Sequence, residues 1–214
     1  MAEVRAEHLP AATTAADDWA GGKFPYHVGH RKLGMWLFIM SDSLTFGALL
    51  AGYSYVRVSS TAWPTPFPFY PSIIFSTVMT LALLSSSLTM VFAVSASKRG
   101  DKRAARKWII GTILGGLTFL VLHLYEWDHL LLEGMFPWEN PWGGPMFGAT
   151  FFAITGLHMF HVFTGILYLA FVAIKIKKFN DEDVEVAGLY WHFVDLVWMF
   201  VFPLIYLLSV DFSA

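Results

Sequence analysis

The chain is 214 residues long, 56% hydrophobic and only 14% charged, with a formal net charge of -2; soluble domains carry roughly a quarter charged residues. That balance excludes a disordered chain, a coiled coil and a nucleic-acid binder, because fourteen basic against sixteen acidic residues leave no surplus for phosphate. Cysteine is absent, which excludes a disulfide framework, a thiolate metal site and a cysteine nucleophile.

The opening stretch, 1–31, is polar, holds Asp17, Asp18, Gly21 and Gly22, and has no apolar run of the signal-peptide kind. It reads as a tail without order in isolation, followed by a membrane domain over 32–214. Five stretches in that domain are long and apolar enough to cross a bilayer: 33–56, 71–97, 108–130, 147–174 and 189–210. A span needs about 20 apolar residues, because each adds ~1.5 Å to a ~30 Å hydrocarbon layer. Backbone polar groups must be satisfied internally in lipid, and apolar runs that do not alternate select helices over a barrel. The fold class is therefore all-α and polytopic.

Short links join the spans. The stretch 59–70 contains Pro64, Pro66 and Pro68 and reads as an extended loop. A basic turn covers 98–107, a Pro and Gly-Gly turn covers 137–145, and a charged loop covers 175–188. Thirteen Lys and Arg residues fall on the side shared by the tail, the second link and the fourth link; Arg57 stands alone on the other. The positive-inside rule then predicts a cytoplasmic N-terminus and a C-terminus outside.

Ionisable residues inside the spans are Asp42, Glu126, Asp195, His123, His158, His161 and His192, and Lys and Arg are missing from the span interiors. An ionisable group costs at least ~2.5–3.5 kcal/mol at the centre of a membrane helix, so each needs a partner. His158 and His161, spaced i, i+3, share a helix face and suit an interhelical packing pair, with a haem or metal ligand and a lipid or subunit contact as the other readings. His192 and Asp195 have the same spacing and suit a structural pair. Glu126 with His129 has the Glu-x-x-His spacing of di-iron bundles, but those need a second such motif and two further carboxylates. Asp42 sits near mid-membrane, as a protonated acid bonded to Ser41, Ser43 or a neighbouring helix, or as a proton-linked group. The Ser and Thr residues of the second span suit close helix approach. Trp36, Trp191 and Trp198 lie inside spans beside these polar positions. No catalytic triad, phosphate loop or Walker motif is present.

These polar positions sit in phrases that resemble a known family. Leu33-Gly-Met-Trp-Leu-Phe-Ile-Met-Ser-Asp-Ser-Leu-Thr-Phe46 resembles the opening of the core of haem–copper oxidase subunit III, and Leu124-Tyr-Glu-Trp-Asp-His-Leu-Leu-Leu-Glu-Gly134 looks like its third core helix. Thr155-Gly-Leu-His-Met-Phe-His-Val-Phe-Thr-Gly165 and Tyr190-Trp-His-Phe-Val-Asp-Leu-Val-Trp198 are similar to two long signatures of that family. The span count matches its short bacterial form. One departure is Asp42, where the long form usually has a carbodiimide-reactive Glu.

The resemblance implies an accessory subunit with no catalytic residue, no haem and no copper of its own. Such a subunit packs against subunit I of a terminal oxidase, which reduces O2 to water while pumping protons, in a complex with subunit II. It implies bound phospholipid in a cleft between a two-helix bundle, here spans one and two, and the remaining three helices. Support of subunit I stability and proton uptake, and an apolar route for O2, follow from the same source. Trp36, Glu126, His158, His161, Trp191, His192, Asp195 and Trp198 become family-signature residues of structural, lipid-facing or interhelical kind. The implied location is the bacterial inner membrane. Rival readings are a subunit III-like protein of a nitric-oxide reductase complex, a haem-binding electron carrier built on His158 or His161, and an independent proton channel built on the three acids.

Overall fold

The computed structural model describes residues 29–211, so the polar opening stretch lies almost wholly outside the described residues. Five long helices follow one another: α1 (His30–Ser59), α2 (Ile74–Lys98), α3 (Lys102–Leu132), α4 (Pro145–Ile174) and α5 (Asp181–Val201). A wide helical turn, Phe69–Ile73, leads into α2, and a second, Phe202–Tyr206, carries α5 onward to Ser209. All five are long and apolar enough to cross a membrane.

Local chemistry sets the helix ends. Gly100, at φ +78°, breaks the chain after α2, and Asp101 then caps α3 by accepting from the Arg103 and Ala104 amides at 3.1 and 2.9 Å. The charged link before the fifth span is shorter than its composition suggests, since α5 begins at Asp181 inside the expected loop 175–188. Asn180 and Asp183 form a capping box, and Asp181, Glu182 and Asp183 lie in the first turn, where a helix dipole favours negative charge. The charges that look like loop are thus the start of a helix.

The helices do not group as a first pair set apart from the last three. α2 packs along α3, whereas α1 seats on α4 and α5. The small residues explain the difference. A Cβ added at Gly115 of α3 would stand 2.6 Å from the Ser86 Cβ of α2, so that interface closes to backbone contact, while Gly34, Gly47 and Gly52 of α1 face open space. α5 is the axial helix, touching α1, α2 and α4, and its Trp191 and Trp198 are the largest fully buried side chains. α1 is the most peripheral, with only 6% of its apolar window buried.

The proline-rich link forms a feature invisible in the sequence. Phe67–Pro68 pairs in parallel with Val210–Asp211, tying the α1–α2 connection to the segment after α5. The other link at that end folds over the start of α4: Asn140 Nδ2 donates to the Gly143 and Gly144 carbonyls at 3.1 and 3.3 Å, and the Gly148 Cα lies under Phe136. We refer to this as the loop end, and to the opposite end as the basic end.

Candidate functional site

Polar side chains inside the bundle form three joints. The first centres on Glu126 of α3. Its Oε1 accepts from Ser76 of α2 and its Oε2 from Tyr206 beyond α5, each at 2.7 Å. One buried carboxyl thereby links three elements. His129, its expected motif partner, points elsewhere: it is exposed and lies 3.3 Å from Glu133. Among the described residues no group of three or more His, Cys, Asp or Glu is placed to hold a metal ion.

The second joint seats α1. Asp42, near the middle of that helix, places Oδ2 3.3 Å from His161 Nε2 of α4. His161 Nδ1 meets the Leu157 carbonyl at 2.8 Å. Ser41 and Ser43 do not reach Asp42; each donates to its own helix backbone, at Phe38 and Ile39. An open groove of about 480 Å³ runs beside this joint, lined by Met35, Phe38, Phe160, Thr164, Tyr168 and Tyr190 along with His161. Tyr190 and Thr164 share a hydroxyl bond of 2.8 Å that closes α5 onto α4.

The third joint is a ladder from α2 to α5. Thr80 accepts from Trp198 Nε1 at 2.9 Å, Ser86 from Trp191 Nε1 at 3.0 Å, and Ser87 meets His192 Nδ1 at 2.6 Å. The hydroxyls of the second span therefore serve as both small interface residues and hydrogen-bond partners. His192 turns to Ser87 and not to Asp195, so the i, i+3 spacing does not make those two a bonded pair.

The histidines of α4 also part company. His161 joins α1, while His158, fully buried, stacks on Trp198 with ring centroids 4.9 Å apart and meets Phe119 edge-on. Trp191 and Trp198 lie in the core, but Trp36 is 48% exposed on the outer side of α1. Sequence reasoning misses Ser76, Thr80, Tyr190 and Tyr206 as partners. Ser76 and Thr80 lie in the hydroxyl cluster of the second span and Tyr190 in a signature phrase, but no spacing in the chain ties any of them, or Tyr206, to these partners.

At the basic end four cations meet the acids that open α5. Arg31 pairs with Asp183, Lys32 lies 2.9 Å from Glu185, Lys98 3.8 Å from Glu185, and Lys102 3.0 Å from Asp181. Close by, a groove of about 420 Å³ between α2 and α5 has apolar walls at Val91, Val94 and Leu189 and a rim carrying Lys98 and Arg99.

Comparison with known proteins gives one consistent result. A family model described as cytochrome c oxidase subunit III matches residues 21–210. The chain is 34% identical over 183 residues to the cytochrome bo(3) ubiquinol oxidase subunit 3 of Pseudomonas putida, covering 83% of this chain and 86% of that one. It is 32% identical over 187 residues to the cytochrome c oxidase subunit 3 of Alkalihalophilus pseudofirmus, covering 85% and 88%. A cytochrome c oxidase subunit 3 from Thermostichus vulcanus is 35% identical over 189 residues, covering 86% and 90%.

Proposed function

The chain belongs to the cytochrome c oxidase subunit III family, and from that premise we propose that it is a non-catalytic accessory subunit of a bacterial haem–copper terminal oxidase. It packs in the inner membrane against subunit I, which holds the haem and copper. It sustains that subunit's proton uptake and stability and keeps phospholipid at the contact. The observation that carries this reading is the use made of the signature residues: Asp42, Glu126, His161, His192, Trp191 and Trp198 all engage neighbouring helices. They hold a scaffold in shape.

The asymmetry of charge supports an N-terminus in the cytoplasm, with the basic end inside. The groove edged by Lys98, Arg99 and Glu185 suits a headgroup phosphate held by the two cations, with its acyl chain along Val91, Val94 and Leu189. Acyl chains and apolar side chains also dissolve O2 while excluding ions.

Deleting the gene and purifying the remaining oxidase tests the reading. Turnover per haem should start near normal and decay during catalysis, with fewer protons pumped per electron. Unchanged turnover, persistence and pumping would sink the proposal.

A further inference from the structure

His123 and His158 are completely buried, and none of their four ring nitrogens has a hydrogen-bond partner among the described residues. Trp127 Nε1, also buried and unpartnered, belongs to the same cluster: its ring lies 5.9 Å from that of His123. Both imidazoles are clasped by the same two rings. Phe119 stacks on His123 and meets His158 edge-on, while Trp198 stacks on His158 and meets His123 edge-on. A neutral imidazole always has one N–H to donate and one nitrogen to accept. Buried groups of this kind are nearly always satisfied, by protein or by ordered water. Five unpartnered polar atoms on three neighbouring side chains therefore mark a place for a polar ligand small enough to fit between packed rings.

A cavity comes within one residue of that place. At the loop end a cavity of about 300 Å³ opens between the start of α2 and the end of α3, with Ser72, Glu126, His129 and Glu133 among its lining residues and Phe67 and Phe75 as apolar wall. Glu126 belongs to both sides. It lines the cavity, and its Oε2 lies 3.5 Å from His123 Nδ1, close but outside directed hydrogen-bond geometry.

We propose that the His123, His158 and Trp127 cluster is a binding site for buried water, filled from the loop-end cavity past Glu126. Each water in such a site needs two to four polar partners, and the imidazole nitrogens, the indole N–H and the Glu126 carboxyl supply both donors and acceptors. The site lies between α3, α4 and α5, one turn of α4 from the Asp42–His161 contact and with no residue in common with the basic-end groove. It adds an internal aqueous pocket, reached from one side of the membrane only, to a subunit otherwise assigned to scaffolding.

Rapid mixing of the intact oxidase complex into H2(18)O, followed after varied delays by radiolytic hydroxyl labelling, tests this. Hydroxyl radicals modify side chains that hold nearby water, and Trp191 is the internal reference: it is as buried as Trp198 and likewise donates its N–H to an α2 hydroxyl, but Trp198 is the one that stacks on the imidazole cluster. Trp198 and Phe119 should be modified several-fold faster than Trp191, with slow incorporation of 18O. Equal, low labelling of all three overturns the proposal. A stability measurement gives a second decision. If the cluster is hydrated, His158→Phe lowers the unfolding midpoint of the complex, because it strands the remaining water. If the cluster is dry, the same change removes unpaired polar atoms and raises the midpoint, which contradicts the proposal.

Discussion

Glu126 is the residue on which most separate elements converge. Ser76 lies fifty positions before it and Tyr206 eighty after it, and both donate to the one carboxyl. Glu126→Ala leaves the buried Tyr206 hydroxyl unmatched, while Ser76 keeps its bond to the Ser72 carbonyl, and opens a void, a loss of about 2–4 kcal/mol. It should appear as a lowered thermal midpoint of the purified complex, with Glu126→Gln falling between the two. Packing makes a second, paired prediction. A methyl at Gly116 would stand 2.5 Å from the Trp191 ring, whereas one at Gly111 would meet Thr89 at an ordinary 3.7 Å. Gly116→Ala should destabilise by about 1–3 kcal/mol, and Gly111→Ala should leave the midpoint unchanged or raise it. The sequence shows an acid in a span and so demands a partner. It cannot say which hydroxyl answers, because that choice depends on how three helices are rotated.

Among the helices, α1, α2 and α4 have ends within a few residues of their apolar stretches, whereas α3 and α5 reach further out on charged turns. α5 is the instructive case: hydropathy marks where lipid contact begins, but the capping box and the acid-rich first turn mark where the helix begins. Asp183→Ala removes one half of the capping box and the partner of Arg31, and should cost about 1–2 kcal/mol. Glu185→Gln removes two half-exposed ion pairs, a loss below about 1 kcal/mol, and in high salt the variant and parent should unfold together. Unfolding at two ionic strengths separates the cap from the ion pairs. The pairing of helices was hidden for a related reason. All five are apolar on most faces, so no hydrophobic stripe says which face meets which. Small residues such as Gly115 decide it, and they are common throughout the chain.

For the whole molecule, the charge asymmetry predicts how it sits in the membrane. The natural chain has no cysteine, so single thiols can be introduced without background. Thr61→Cys, in the exposed α1–α2 connection, should react with a membrane-impermeant maleimide on intact spheroplasts, and Arg99→Cys only after permeabilisation. The reverse pattern would invert the proposed orientation. The exposed apolar surface of α1 belongs to the same scale. It is ordinary for a chain whose solvent is lipid, and it leaves that helix held mainly by α4, α5 and the ion pairs at its start.

The parallel ladder between Phe67–Pro68 and Val210–Asp211 places a constraint on biosynthesis. The ribosome makes the first strand before α2 and the second only after α5, and Tyr206, which completes the Glu126 joint, also follows α5. Four helices can enter the bilayer before either contact exists, so the loop end stays unlatched until the segment after α5 has been made. A message truncated shortly before Tyr206 would still encode most of all five helices, yet its product would lack both closures and present itself to membrane quality control as an unfinished protein.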